Sequence, residues 1–136
     1  MKPAAKPTST RARKAAGGGA PELKRLRQLC LALPGAIEKP SHGEPTWFTG
    51  PKGKVFAMFD NHHHGAAHIS VHVAAPMELQ QVLVKADPDR YWVPPYVGHR
   101  GWVGVILDTS PDWDEVAGLL RASFEHVRAP KPRAKR

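Results

Sequence analysis

The hydrophobic pattern predicts three helices, because apolar residues recur three or four positions apart in three segments. The first helix begins at Pro21 and ends at Pro34, the second begins at Pro76 and ends before Asp87, and the third begins at Pro111. The residues expected to be buried in the first and third helices are Leu23, Leu26, Cys30, Leu33, Val116, Leu119, Leu120, Ser123, Phe124 and Val127. The second helix is expected to place Leu79, Val82, Leu83 and Ala86 on one face.

Period-two alternation predicts four strands. Residues 46–48 and 54–59 form a hairpin around a turn at 50–53, a third strand covers 69–73, and a fourth covers 102–107. The predicted order is α-β-β-β-α-β-α. Strands joined by hairpins, with helices at the start, middle and end, indicate an α+β fold in which an antiparallel sheet is covered by helices on one face.

The strand at 69–73 predicts which side chains lie on the open face of the sheet. Isoleucine and valine at alternate positions are expected to face the helices, which turns Ser70 and His72 toward solvent. Trp102, beside small glycines, adds an aromatic ring to strand positions that lack bulk. We therefore expect Trp102, Tyr96 and His72 to be the residues that bind any ligand or partner on this face. In the equally supported alternative, Trp102 packs against the loop at 94–96.

The positive charge of the chain does not belong to the predicted domain, because the excess of basic residues is concentrated at the two ends of the chain. The net charge is +8, from 20 Lys and Arg and 12 Asp and Glu. Ten of the basic residues lie in residues 1–20 and 128–136, which contain no acid, so residues 21–127 carry a net charge of −2. The two ends are poor in apolar residues and are expected to be a disordered basic arm (1–20) and tail (128–136) around one domain at 21–127.

Cellular location follows from two absences in the sequence. No apolar run approaches the roughly 20 residues that a membrane-spanning helix needs, and the first twenty residues contain no apolar segment of a signal peptide. The single cysteine, Cys30, has no partner for an intramolecular disulfide. We expect a cytoplasmic protein that does not bind membranes.

Histidines and the cysteine are the residues that could carry chemistry. His68 and His72 lie four positions apart on one strand, about 13 Å at roughly 3.3 Å per residue, which is too far to share a metal ion. His62 and His64 are expected in a solvated turn, and Cys30 on the apolar stripe of the first helix. We expect no metal, no cofactor and no catalytic residue.

The start of the third helix carries the densest group of carboxylates. Asp112, Asp114 and Glu115 follow Ser110, the expected N-cap, by two to five positions. Carboxylates in a first turn are favoured by the positive end of the helix dipole. We interpret them as dipole partners and not as a catalytic pair.

Several short motifs occur in a specific order and spacing across the central segment. They are Ala32-Leu33-Pro34-Gly35, Gly43-Glu44-Pro45-Thr46-Trp47-Phe48, Gly53-Lys54-Val55-Phe56-Ala57, Ala86-Asp87-Pro88, Pro94-Pro95-Tyr96-Val97-Gly98 and Gly101-Trp102-Val103-Gly104-Val105. With these motifs the chain resembles the MmcQ/YjbR family of small bacterial proteins. The resemblance implies a frataxin-like (CyaY-like) fold and a DNA-binding role, and it implies no catalytic residues.

Frataxins bind iron through acidic residues of the first helix, and this chain departs from that pattern. The charged residues there are Glu22, Lys24, Arg25 and Arg27, so three of the four are basic. A helix face with this charge repels a metal cation. The iron-binding role is therefore disfavoured here.

Two functions remain open at the level of sequence. The first is a non-enzymatic nucleic-acid-binding module, in which Lys52, Lys54, His99 and Arg100 lie at winglike turns and contact phosphates together with the basic tails. The alternative is a domain that binds a small molecule or a protein partner on the open sheet face. The negative net charge of residues 21–127 favours the alternative, whereas the tails and the family resemblance favour the first.

Overall fold

The computed structural model describes residues 19–62 and 68–129. Within those residues the chain forms three α-helices, six strands and one short 3₁₀ helix. In chain order they are α1 (Ala20–Leu31), β1 (Ile37–Ser41), β2 (Glu44–Phe48), β3 (Val55–Asn61), β4 (Ile69–Val73), α2 (Met77–Ala86), β5 (Tyr91–Trp92), the 3₁₀ helix (Gly98–Arg100), β6 (Val103–Ile106) and α3 (Trp113–Arg128).

All six strands belong to one antiparallel sheet with the order β1-β2-β3-β4-β6-β5. The predicted α+β class and the antiparallel sheet are confirmed. Two strands were not predicted, β1 and the two-residue β5, and both lie at the edges of the sheet. Pro40 in β1 is tolerated because an edge strand has unpaired backbone positions.

One face of the sheet is covered by α1 and α3. Trp47 on β2 is fully buried and donates a hydrogen bond from Nε1 to Glu38 on β1, at 3.0 Å. Glu38 also accepts three hydrogen bonds from the Arg27 guanidinium of α1. At the other side of the sheet, the Tyr91 hydroxyl donates to Glu115 of α3. These contacts place the side chains at odd-numbered positions of β4 and β6 on the helix side.

The bulged residue of β3 makes the main described contacts between α3 and the sheet. Phe48 pairs with Val55 while Trp47 pairs with Ala57, so Phe56 is an extra residue in β3. The Phe56 ring is fully buried and meets Phe124 of α3 edge to face, with ring centroids 5.2 Å apart. Its carbonyl accepts a hydrogen bond from the buried Ser123 hydroxyl at 2.7 Å.

The predicted helical stripes of α1 and α3 are confirmed, with small changes at the helix ends, whereas Val82 of α2, expected on the apolar face of that helix, is 62% exposed. Leu26 and Cys30 of α1 and four predicted residues of α3 are buried, and the remaining members of the stripes pack at the edge of the same core. The expected N-cap Ser110 is wrong. Asp112 directly precedes α3, and its carboxylate accepts hydrogen bonds from the backbone amides of Asp114 and Glu115.

The disordered arm and tail at the two ends of the chain stay predictions. The expected disordered arm and tail lie almost entirely in residues 1–18 and 130–136, which are outside the described residues. Regular structure runs from Ala20 to Arg128, one residue beyond the predicted domain at each end. None of the helices in the described ranges combines the length and apolar character that crossing a membrane requires.

Cys30 should be unreactive in the folded protein. The side chain is fully buried, and burial, followed by the nearby Glu38 charge, raises the pKa of the thiol far above its ordinary value. The thiolate is the reacting species, so a raised pKa removes it at pH 8 to 9. We expect a disulfide reagent such as DTNB to react at least about a hundredfold more slowly with native than with urea-unfolded protein. Rapid native labelling would contradict the placement of α1.

Candidate ligand-binding site

Strand β4 is buried on both of its faces. All five of its residues are buried, and His72 is 7% exposed. The predicted solvent exposure of Ser70 and His72 is therefore wrong, although both lie on the predicted side of the sheet, away from α1 and α3. The Trp92 ring covers His72 edge to face, with 5.6 Å between centroids. Trp92 lies against Gly104, where a Cβ atom would come within 2.2 Å of Nε1.

Asp60 and His72 form a buried hydrogen-bonded pair on this face. They lie on neighbouring strands and are diagonal neighbours, because Met58 pairs with His72 and Asp60 pairs with Ser70. The distance from His72 Nε2 to Asp60 Oδ2 is 3.0 Å, and the side chains are 9% and 3% exposed. A carboxylate can only accept, so Nε2 donates. In the neutral form of the ring Nδ1 is then an acceptor.

The second ring nitrogen of His72, Nδ1, is the polar atom of this pair that does not contact Asp60. In the described part of the chain Nδ1 has no hydrogen-bond partner, and it is not among the polar atoms that are cut off from solvent. The ring position is fixed by Asp60 on one side and by Trp92 on another. Nδ1 of His72 is therefore held in a fixed position, where it can hydrogen-bond to a ligand on this face of the sheet.

A cavity of about 350 Å³ lies on this face, and we call it the sheet-face cavity. Its walls come from the β1–β2 turn, the strands β3 and β4, and the loop after β5. The residues that line it are Ser41, His42, Glu44, Met58, Phe59, Asp60, His72, Pro95, Tyr96 and Val97. Among these described residues there are two carboxylates and two histidines but no Lys or Arg.

The β1–β2 turn supplies one wall. Ser41 pairs with Glu44, so the turn has two central residues, His42 and Gly43, with φ of 55° and 82°. Positive φ at both positions is the pattern of a type I′ hairpin, which glycine favours. The Glu44 carboxylate accepts a hydrogen bond from the backbone amide of Asn61 at 3.2 Å. This contact holds the carboxylate between β2 and the end of β3.

The loop of residues 93–97, here called the covering loop, supplies the opposite wall. Tyr96 is 72% exposed and has a φ of 69°, a conformation that costs a non-glycine residue on the order of 1–3 kcal/mol. The loop is held from α2, where the buried Gln80 amide donates to the carbonyls of Gly98 (2.8 Å) and Trp102 (2.6 Å). Gln80 was not predicted, since a polar residue on a helix ordinarily faces solvent.

Two of the three predicted ligand-binding residues come together in the cavity, and the third does not. His72 and Tyr96 both line it. Trp102 is 4% exposed and is not part of its wall. Arg100 lies over the Trp102 ring at 5.8 Å from the centroid. Asp60 was missed in the sequence because it occupies a strand otherwise rich in apolar residues.

The four predicted phosphate-binding residues are exposed and lie near one end of the sheet. Lys52 and Lys54 belong to the β2–β3 turn, and His99 and Arg100 to the 3₁₀ helix before β6. The start of β3, the end of β4 and the start of β6 lie side by side in the register. Both basic segments precede strands that start at this end, and the β1–β2 turn lies at the opposite end.

The remaining histidines do not form a metal cluster in the described residues. His62 is buried and not in a solvated turn as expected, and His64 lies outside the described residues. His68 contacts Asp108 at 3.0 Å, whereas His72 contacts Asp60. The two histidines of this strand thus have separate carboxylate partners.

Comparisons with known proteins agree with the fold. The model of the YjbR family matches residues 31–126. The crystal structure of the Deinococcus radiodurans protein DR2400, with domain DUF419, is similar with a TM-score of 0.65 and 21% identity, over 77% of each chain. No curated protein matches the chain at a significant level.

Replacement of His72 by alanine should destabilise the protein much more than replacement of His68. Both rings contact a carboxylate at 3.0 Å, but the His72 side chain is 9% exposed and the His68 side chain 44%. We expect His72→Ala to lower the free energy of unfolding by about 2–4 kcal/mol. His68→Ala should cost less than about 1 kcal/mol. Urea unfolding measures both, and equal losses would contradict a buried role for the Asp60 pair.

Proposed function

The chain belongs to the YjbR family, and from the geometry of the sheet-face cavity we propose that it binds a small organic molecule. The observation that carries this proposal is the buried Asp60–His72 pair, both members of which line a preformed concave site. A volume of about 350 Å³ lies within the range of small-molecule sites.

The composition of the wall supports a ligand with an apolar body. Met58, Pro95, Val97 and Tyr96 supply most of the nonpolar contact, and a few polar groups converge at one side. This combination of an apolar wall with a small number of fixed polar groups is typical of ligand sites. The polar groups then determine the orientation of the ligand.

We propose binding without catalysis. The serine in the cavity wall, Ser41, contacts the Nδ1 atom of His42 at 3.0 Å. The histidine that is held by a carboxylate is His72, on a different strand. A nucleophile, base and carboxylate are therefore not assembled into one relay by these contacts.

A second candidate function, DNA binding, has one specific observation in its favour. The exposed residues Lys52, Lys54 and Arg100 lie near the same end of the sheet, where they could contact one phosphate backbone. The basic residues of the two chain ends would add nonspecific attraction to a polyanion. This end is separate from the wall formed by the β1–β2 turn, so the two functions are compatible.

Fragment binding tests the first function. We expect backbone amide shifts in two-dimensional NMR spectra, upon addition of aromatic fragments of roughly 8–12 non-hydrogen atoms, to map to the cavity residues Met58, His72 and Val97. Tyr96→Asn, which tolerates positive φ, should weaken the best fragment about tenfold. Val82→Ala removes another exposed hydrophobic side chain, on α2, and should leave affinity unchanged. Shifts that avoid the cavity would contradict the proposal.

A salt series tests the second function with the full chain. If Lys52, Lys54 and Arg100 each neutralise a phosphate, their joint replacement by alanine should reduce the log-log salt slope of duplex DNA binding by about 2–3. The matched control replaces Lys24, Lys85 and Arg121, which are exposed and lie on the helices. Equal effects of the two triple variants would show that total charge, and not this end of the sheet, attracts DNA.

A further inference from the structure

We propose that Trp92 is a movable cover on the face of the sheet away from α1 and α3, and that a flat aromatic ring of a ligand takes the place of its indole beside Gly104 and His72. This inference rests on the proposed ligand-binding function, and it names a chemical group of the ligand and the step that admits it. Three observations lead to it: the niche at Gly104, the indole nitrogen, and the edge position of β5.

The niche at Gly104 has the shape of a flat ring. Gly104 pairs with His72 on one side and with Trp92 on the other, so the three residues lie side by side across the sheet. A Cβ atom at Gly104 would overlap the indole, so only glycine leaves this space. The indole also meets the His72 ring edge to face, with 5.6 Å between centroids. A glycine backbone and the side of an imidazole suit any flat aromatic ring of this size.

The indole N–H of Trp92 gains no hydrogen bond from residues 19–62 and 68–129 in this covered position. Nε1 is shielded from solvent and has no acceptor among those residues. An indole N–H can only donate, and a buried donor without an acceptor loses the hydrogen bond to water that it makes when exposed. The covered position is therefore less stable, relative to an open one, than a hydrogen-bonded indole would be. Trp47 is the contrast, because its Nε1 donates to Glu38.

The position of Trp92 allows its side chain to leave without opening the core. It belongs to β5, a two-residue strand at the edge of the sheet, and it is only partly buried. It is not among the residues that pack into the core under α1 and α3. Its departure uncovers Gly104 and the ring of His72, which Asp60 still holds from β3. Because His72 also lines the sheet-face cavity, the uncovered niche extends that cavity.

Hydrogen exchange of the indole N–H groups tests the cover in the free full chain. The protein has four tryptophans, so four indole signals are followed after transfer of the ¹⁵N-labelled chain into D₂O. We expect the Trp92 N–H to exchange at least about a hundredfold faster than that of Trp47, because a local movement exposes the first. The Trp47 side chain is fully buried and hydrogen-bonded, so its exchange requires a larger opening of the domain.

Indole is the probe for the niche, and binding is followed through the backbone amide shifts of Val103 and Val105. In the wild-type chain indole has to displace Trp92, whereas Trp92→Ala leaves the niche uncovered. We expect Trp92→Ala to bind indole at least about tenfold more tightly than the wild type. A second substitution, Gly104→Ala, places a methyl group in the niche and should abolish that gain. Cyclohexylmethanol, which is similar in size but not flat, should gain less than about threefold.

The contrary outcomes separate this inference from the proposed function. Protection of the Trp92 N–H equal to that of Trp47 overturns the cover, and this comparison decides alone if Trp92→Ala does not fold. An unchanged affinity for indole in Trp92→Ala, or a gain that persists with Gly104→Ala, overturns the aromatic niche. If aromatic fragments shift Met58 and Val97 of the wild type while the cover fails, small-molecule binding in the sheet-face cavity still stands.

Discussion

Burial of strand β4 on both faces is the constraint from which the candidate site follows. The helices α1 and α3 cover one face, and Trp92 with the covering loop closes much of the other. A histidine on such a strand must have a hydrogen-bond partner, because a buried polar group without one costs about 1–3 kcal/mol. Asp60 on the next strand is that partner for Nε2, and its own burial makes the pair interdependent. The site is thus part of the packing of the domain.

The sequence predicted the features that depend on local pattern. The three helices, the strands β2, β3, β4 and β6 and the family all follow from periodicity or from short motifs, and they agree with the structure. The edge strands β1 and β5 were not predicted because neither has the alternation of a half-buried strand. Strand β1 contains Pro40, and β5 has only two residues. The cap of α3 shifted from Ser110 to Asp112 because both residue types are good caps and only the backbone decides which one precedes the helix.

The site was only half predictable, because its exposure depends on a distant segment. Alternation placed His72 on the correct face, but nothing local shows that Trp92 and the covering loop return over that face. The path of the covering loop brings Tyr96 into the wall of the same cavity as His72, whereas Trp102 is buried. Pairing of Asp60 with His72 needs the register of β3 against β4, which pattern alone does not provide. The role of Gln80 could not be predicted either, because the two carbonyl groups to which it donates, those of Gly98 and Trp102, are distant in sequence.

Asp60 holds His72 through Nε2, and this contact determines which ring nitrogen carries the proton. Long-range proton–nitrogen correlation spectra of the imidazole rings test this contact directly in the free protein at pH 8, because they distinguish the two ring nitrogens. We expect a single Nε2–H tautomer for His72, with Nδ1 unprotonated, and loss of that fixed tautomer in Asp60→Asn. A proton on Nδ1, or the averaged tautomers of a freely solvated ring, would contradict the buried Asp60–His72 pair.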